Sequence, residues 1–168
     1  MELEFITAGL VVNTHGIRGE VKVLPQGVSP RMMIKCGVLY VEDKPYRLLS
    51  GRVHKGCLLA KLEGIGSIDD ALKLKGELVT IRREDAGLPE GEYFDEELIG
   101  LTARNVKTGE ELGQVVDILH YPAHDIYTVQ GERDEFLIPA VPEFIAKLDV
   151  AGGTIDIRMM RGLGAHED

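Results

Sequence analysis

Short runs of β-branched and aliphatic residues recur roughly every ten positions along this chain, with glycine or a polar turn between them, the rhythm of a turn-rich β protein. Phe5 to Val12 is the first run. Gly19 to Val23 alternates strictly, with Val21 and Val23 on one face and Glu20 and Lys22 on the other. Val38 to Val41 and Tyr46 to Val53 flank the turn Glu42–Pro45, and Leu58 to Leu62 follows the turn Lys55-Gly56. Leu78 to Ile81 is the sixth. Six short strands predict a closed barrel, because closure leaves no exposed edge. A short helix interrupts them, capped by Ser67 and stopped at Gly76, with Ile68, Ala71, Leu72 and Leu74 as the apolar face that plugs the barrel.

The second half repeats the style without repeating the sequence. Leu98 to Arg104, Gly113 to Leu119, Asp125 to Val129, Glu135 to Pro139 and Gly153 to Ile157 read as strands. Lys107-Thr108-Gly109 and Gly131 to Asp134 read as hairpin turns, and Pro142 to Leu148 as a short helix with proline in its first turn. Residues 164–168 read as a frayed tail. The fold class is all-β: two small β-barrels, each with a short helix. With hydrophobic residues at 44%, aromatics at 5% and no tryptophan, the cores must be built from Val, Ile and Leu.

A boundary lies where the apolar pattern lapses. Arg82 to Gly91 carries three acids, two arginines, two glycines and a proline, and reads as an exposed connection. This gives a first domain over 1–86, a linker over 87–91 and a second domain over 92–168. Charge divides the same way. Residues 1–86 hold 13 Lys and Arg against 11 Asp and Glu, a balance of +2, whereas residues 87–168 hold 6 against 17, a balance of −11. An acidic total of −9 argues against simple nucleic-acid binding and favours a basic protein partner for the second domain.

Several chemistries find no support. Cys36 and Cys57 are too few for a disulfide framework and match no metal spacing, so both are expected reduced. The first residues have acids where a secretory signal needs bases, so a cytoplasmic location and no membrane association are expected. There is no phosphate-binding glycine loop, no dinucleotide fingerprint and no HExxH. His120 and His124 have helical metal-ligand spacing, but Pro122 between them makes a loop, and no third ligand is evident. No metal or cofactor is expected.

Three groups of residues stand out as binding candidates. His15 and Arg18 sit in the tight loop Thr14-His15-Gly16-Ile17-Arg18-Gly19-Glu20 at a strand end, and Arg82-Arg83 lies at the domain boundary. These suit contact with a phosphate-bearing partner. Tyr93-Phe94-Asp95 puts two aromatics among carboxylates. On a strand one ring would face the core and the other a basic partner. The alternative is a small-barrel enzyme acting on RNA, with His15 and Asp125, or the acids near position 95, as acid and base.

Taken in order, the stretches resemble the ribosome maturation factor RimM family. Gly9 to Val23, with His15-Gly16-Ile17-Arg18-Gly19-Glu20 at its centre, resembles that family's opening signature. Leu74-Lys75-Gly76, Leu88-Pro89 and Gly91-Glu92-Tyr93-Phe94 resemble its inter-domain region. Leu98 to Leu101, Gly113-Gln114-Val115, Glu135 to Pro139 and Arg161-Gly162-Leu163 resemble its PRC-barrel domain. The resemblance implies an N-terminal six-stranded barrel followed by a PRC barrel, and a non-catalytic monomer. Its implied partners are the immature small ribosomal subunit with its rRNA, and ribosomal protein number nineteen of that subunit's head. It also implies that Tyr93 and Phe94 help bind the subunit. This chain departs from the family pattern in having Phe94 for a second tyrosine, Pro122 for a turn glycine, and Ile68 and Leu72 for a helical Arg and Glu.

Overall fold

The computed structural model describes residues 3–160, which form two compact units, Leu3–Glu92 and a second from Tyr93 onward. The expected tail over 164–168 and the Arg161-Gly162-Leu163 motif lie outside the described residues.

The first unit is a closed six-stranded barrel. Its strands are β1 (Phe5–His15), β2 (Glu20–Pro25), β3 (Val38–Val41), β4 (Lys44–His54), β5 (Cys57–Leu62) and β6 (Leu78–Arg82), in the order β1-β2-β5-β4-β3-β6. β1 closes the barrel by pairing with β2 on one side and β6 on the other. Its register shifts between Val11 and Asn13 against β2, and between Thr7 and Gly9 against β6. Such bulges bend and twist a strand, which is what closure requires of it. Val21 and Val23 point inward as their alternation predicts, at 1% and 0% exposure. Ile6, Leu39, Leu58, Leu62 and Ile81 fill the same interior. Burying each such side chain contributes about 1.5–3 kcal/mol, so aliphatics suffice without tryptophan.

Three short helices decorate the barrel. α1 (Pro30–Cys36) was not expected, though its signals are in the sequence. The Ser29 hydroxyl accepts the Met32 N–H, Pro30 opens the first turn, and Gly37 ends the helix at φ 74°. Met33 buries its whole side chain. α2 (Ile68–Leu72) starts at Ser67 as expected, with the Ser67 hydroxyl accepting the Asp70 N–H. Its packing differs from the expected plug. Ala71 and, beyond the helix end, Leu74 are buried, but Ile68 and Leu72 are 39% and 46% exposed, because a helix of five residues offers only a narrow face to bury. α3 (Arg83–Ala86) occupies charged sequence that composition alone suggests is a plain connection. Ala86 is buried, and its carbonyl accepts a hydrogen bond of 3.1 Å from Lys35 Nζ of α1.

The second unit contains α4 (Asp95–Leu98), β7 (Thr102–Asn105), β8 (Glu111–His120), β9 (Asp125–Gln130), β10 (Glu135–Pro139), β11 (Ile145–Asp149) and β12 (Thr154–Ile157). The strands form one six-stranded sheet in the order β10-β9-β8-β7-β12-β11. All neighbours are antiparallel except β12 and β7, which run parallel. Leu101, Ala103, Val115, Val129, Ile138, Ile155 and Ile157 make its core. The helix expected over Pro142–Leu148 is not formed. Phe144 and Ile145 both donate to the Val141 carbonyl in a single turn, and the chain then extends as β11 to pair with β12. Strand pairing satisfies the backbone along this stretch, where seven residues beginning with proline make only a marginal helix.

Candidate binding surfaces

The loop between β1 and β2 holds His15, Arg18 and the two glycines that shape it. Gly16 and Gly19 adopt φ of 71° and 79°. At Gly19 a side chain is excluded twice, by that conformation and by space: a Cβ there would lie 2.6 Å from the Ser67 carbonyl oxygen. The loop is thus pressed onto the start of α2. A second clamp comes from Lys61 of β5, whose ammonium donates to the backbone carbonyls of Arg18 and, at 2.6 Å, of Ile65. Held this way, the loop presents Arg18 and Ile17 to solvent, Ile17 at 83% exposure. His15 lies beside His54 of β4, with ring centroids 6.0 Å apart. Arg18 lines a cavity of about 300 Å³ with Glu20, Ser50, Gly51, Arg52, Leu59 and Lys61.

Arg82 and Arg83 do not join this surface. In the β1 register Phe5 faces Arg82 and His15 faces Glu20, so the two arginine groups sit at opposite ends of an eleven-residue strand. Arg82 is also engaged already. It pairs with Glu4 at 3.2 Å and Glu84 at 3.5 Å and lies over the Phe5 ring, and the Glu84 carboxylate, then Glu4, pushes its affinity for the proton up. Arg83 donates to the Glu92 carbonyl at 3.2 Å.

Tyr93 and Phe94 are not on a strand, so strand alternation does not set the directions of their rings. They form an extended lead into α4, with Phe94 at φ −78° and ψ 151°. Asp95, Glu96 and Glu97 follow as the first turn of the helix, where negative charge is favoured. The Glu97 carboxylate, fully buried, accepts the Phe94 N–H at 3.1 Å and fixes this turn. Phe94 is buried at 9% exposure. Tyr93 is half-buried against the second unit's core and keeps part of its ring at the surface.

Asp95 leads to a cluster that the sequence pattern did not reveal. His120, the last residue of β8, places Nε2 at 2.6 Å from Asp95 Oδ2 and Nδ1 at 2.9 Å from Asp125 Oδ1. His120 and Asp125 are cross-strand neighbours at the mouth of the β8–β9 hairpin. With both aspartates ionised, both ring nitrogens must donate, which is the imidazolium form. The bond to Asp95, then that to Asp125, accordingly raises the His120 pKa above 6.5. Tyr127 is also raised, first by burial and then by the Asp125 and Asp95 charges. His124 turns the other way and donates from Nδ1 to the Asp125 carbonyl. Among the described residues no group of three or more His, Cys, Asp or Glu is arranged to hold a metal, and no helix is long and apolar enough to cross a membrane. Because both nitrogens of His120 are committed to carboxylates, the ring is poorly placed to take a proton from a substrate.

A small closed barrel followed by a mixed sheet, with charged loops as its most distinctive exposed features, defines a two-domain β protein suited to macromolecular contact. Residues 6–86 match the RimM N-terminal domain, and residues 95–163 match the RimM PRC barrel domain. The chain belongs to the RimM family. It is 36% identical over 167 residues to the ribosome maturation factor RimM of Caldanaerobacter subterraneus subsp. tengcongensis, covering 95% of this chain and 99% of that one. It is 33% identical over 156 residues to the protein of the same name from Clostridium botulinum, covering 92% and 94%. Among solved structures, a putative 16S ribosomal RNA processing protein RimM from Pseudomonas aeruginosa aligns over 93% of this chain and 98% of its own, with a TM-score of 0.46 at 25% identity.

Proposed function

We propose that the protein binds the immature small ribosomal subunit together with basic ribosomal protein number nineteen of its head. In doing so it assists head assembly and rRNA processing without catalysing a reaction. The observation that carries this reading is a family match extending over both domains, in relatives named for ribosome maturation. The charge division gives it a physical form. A segment of −11 is an electrostatic partner for a basic ribosomal protein, while the first domain, at +2, is free to approach rRNA phosphates. The protein works as a cytoplasmic monomer.

In this reading Arg18 and His15, at the exposed β1–β2 loop, face the rRNA. Tyr93 is the partner-facing aromatic, and buried Phe94 together with Asp95 sets the lead into α4 in place. Arg82 and Arg83, with their partners inside the protein, contribute less. Tyr93→Ala in the full chain is expected to weaken binding of the purified head protein by about 10- to 30-fold, the scale of a moderate interface aromatic. Unchanged affinity in a variant with a native circular-dichroism spectrum and melting profile would remove Tyr93 from the interface.

A further inference from the structure

On the outside of the first unit, β2, β5 and β4 lie side by side, and the cavity beside Arg18 opens across them. Its charged lining is Arg18, Arg52 and Lys61 against one carboxylate, Glu20, a balance of +2. The register explains the convergence: Ser50 faces Lys61 and Arg52 faces Leu59 across β4–β5, while Lys22 and Val21 of β2 face Leu59 and Ala60. Arg52 and Lys61 therefore reach the same outer face from neighbouring strands, and the β1–β2 loop brings Arg18 over it.

The cations here are unspent. Neither the Arg18 nor the Arg52 guanidinium makes a hydrogen bond or ion pair among the described residues. Elsewhere Arg47 pairs with Glu63 at 2.9 Å, and Arg104 pairs with Asp156 at 3.0 Å. Lys61 donates only to neutral carbonyls, so its charge is uncompensated although its position is fixed. A fixed ammonium lining one cavity with two guanidinium-bearing side chains and the buried Leu59 is a preorganised seat for an anion. Glu20 disfavours a free dianion and can accept a hydroxyl hydrogen beside it. A ribose-phosphate backbone supplies that combination, one charge per phosphodiester with a neighbouring 2′-hydroxyl.

We infer that Arg18, Arg52 and Lys61 form a backbone-phosphate cradle for small-subunit rRNA on the outer face of β2, β5 and β4. This rests on the subunit-binding reading and deepens it, by adding Arg52 and Lys61 to the loop arginine and setting Arg82 and Arg83 aside. Lys61 also pins the loop, so the informative change is Arg18→Gln with Arg52→Gln, both on exposed side chains. The control is Arg31→Gln with Lys44→Gln, which removes the same charge from exposed positions outside the cavity.

Affinity of each full-length protein for protein-free small-subunit rRNA is measured across a salt series. Each lost phosphate contact on single-stranded RNA lowers the slope of log affinity against log salt by about 0.7, so the cradle variant is expected to be flatter by about 1.4 and about 25-fold weaker at about 0.1 M salt. The control should retain the wild-type slope. An unchanged slope in the cradle variant overturns the site, and so does equal flattening in the control, since a diffuse field would then account for binding. The same proteins are tested on immature subunits. Failure of the wild type to bind these while the rRNA slopes separate as expected overturns the maturation reading and leaves the cradle standing.

Discussion

Removing His120 should produce a pH-dependent loss of stability in the second unit. His120→Ala deletes two contacts, at 2.6 and 2.9 Å, that tie Asp95 at the start of α4 to Asp125 at the start of β9. All three side chains are substantially exposed, the histidine at 57%, so solvent screening limits what the contacts are worth. Exposed ion pairs contribute about 0.2–1 kcal/mol each, which puts the two together near 1 kcal/mol. For a domain of this size that corresponds to a melting shift of about 4–8 °C. The sign follows from the raised pKa of the folded state. Stability from the imidazolium is fully present below the ordinary histidine value of 6.5 and is lost as pH rises through the higher folded value. Thermal melts of wild type and variant should therefore differ most near pH about 6 and converge towards about 9, where the neutral ring donates only one hydrogen. NMR titration of the His120 ring gives an independent readout. A constant gap between the two proteins at all pH values, or a His120 midpoint at or below 6.5, would refute the two-carboxylate clamp.

Two further substitutions test how the binding surfaces are supported. Gly19→Ala forces a side chain into a positive-φ residue and against the Ser67 backbone, and should cost about 2–4 kcal/mol by denaturant unfolding; a loss under about 0.5 kcal/mol would mean the loop is not pressed onto α2. Phe94→Ala removes a ring that is 9% exposed and should destabilise the fold by about 3–5 kcal/mol, unlike Tyr93→Ala. Equal stability of the two variants would place Phe94 at the surface.

The strands were largely legible because half-buried β structure writes itself as alternation. Val21 and Val23 against Glu20 and Lys22 is the clearest case, and β3 and β10 fall on the runs read for them. Short helices were less so. α1 carries a serine cap, proline and a terminal glycine around only seven residues, and Pro142 to Leu148 carries a proline start yet extends as a strand, so local signals of that length do not outweigh pairing. Long-range proximity was invisible. Nothing in the sequence says that β2 lies against β5, which brings Arg52 and Lys61 to Arg18, or that Asp95 meets His120. One local clue existed: His120 and Asp125 bracket a four-residue turn, the spacing of a hairpin's closing pair. Tyr93 and Phe94 would face opposite ways only on a strand, whereas the three acids that follow start a helix there instead.

Binding of the full-length protein to isolated small subunits, immature and mature, across a salt series tests the assembly role most directly. Tighter binding to immature subunits, weakening as salt rises, is the result expected of a factor that holds head components before the rRNA is set. Equal or absent binding to both would contradict it, leaving the family relationship as an account of the fold alone.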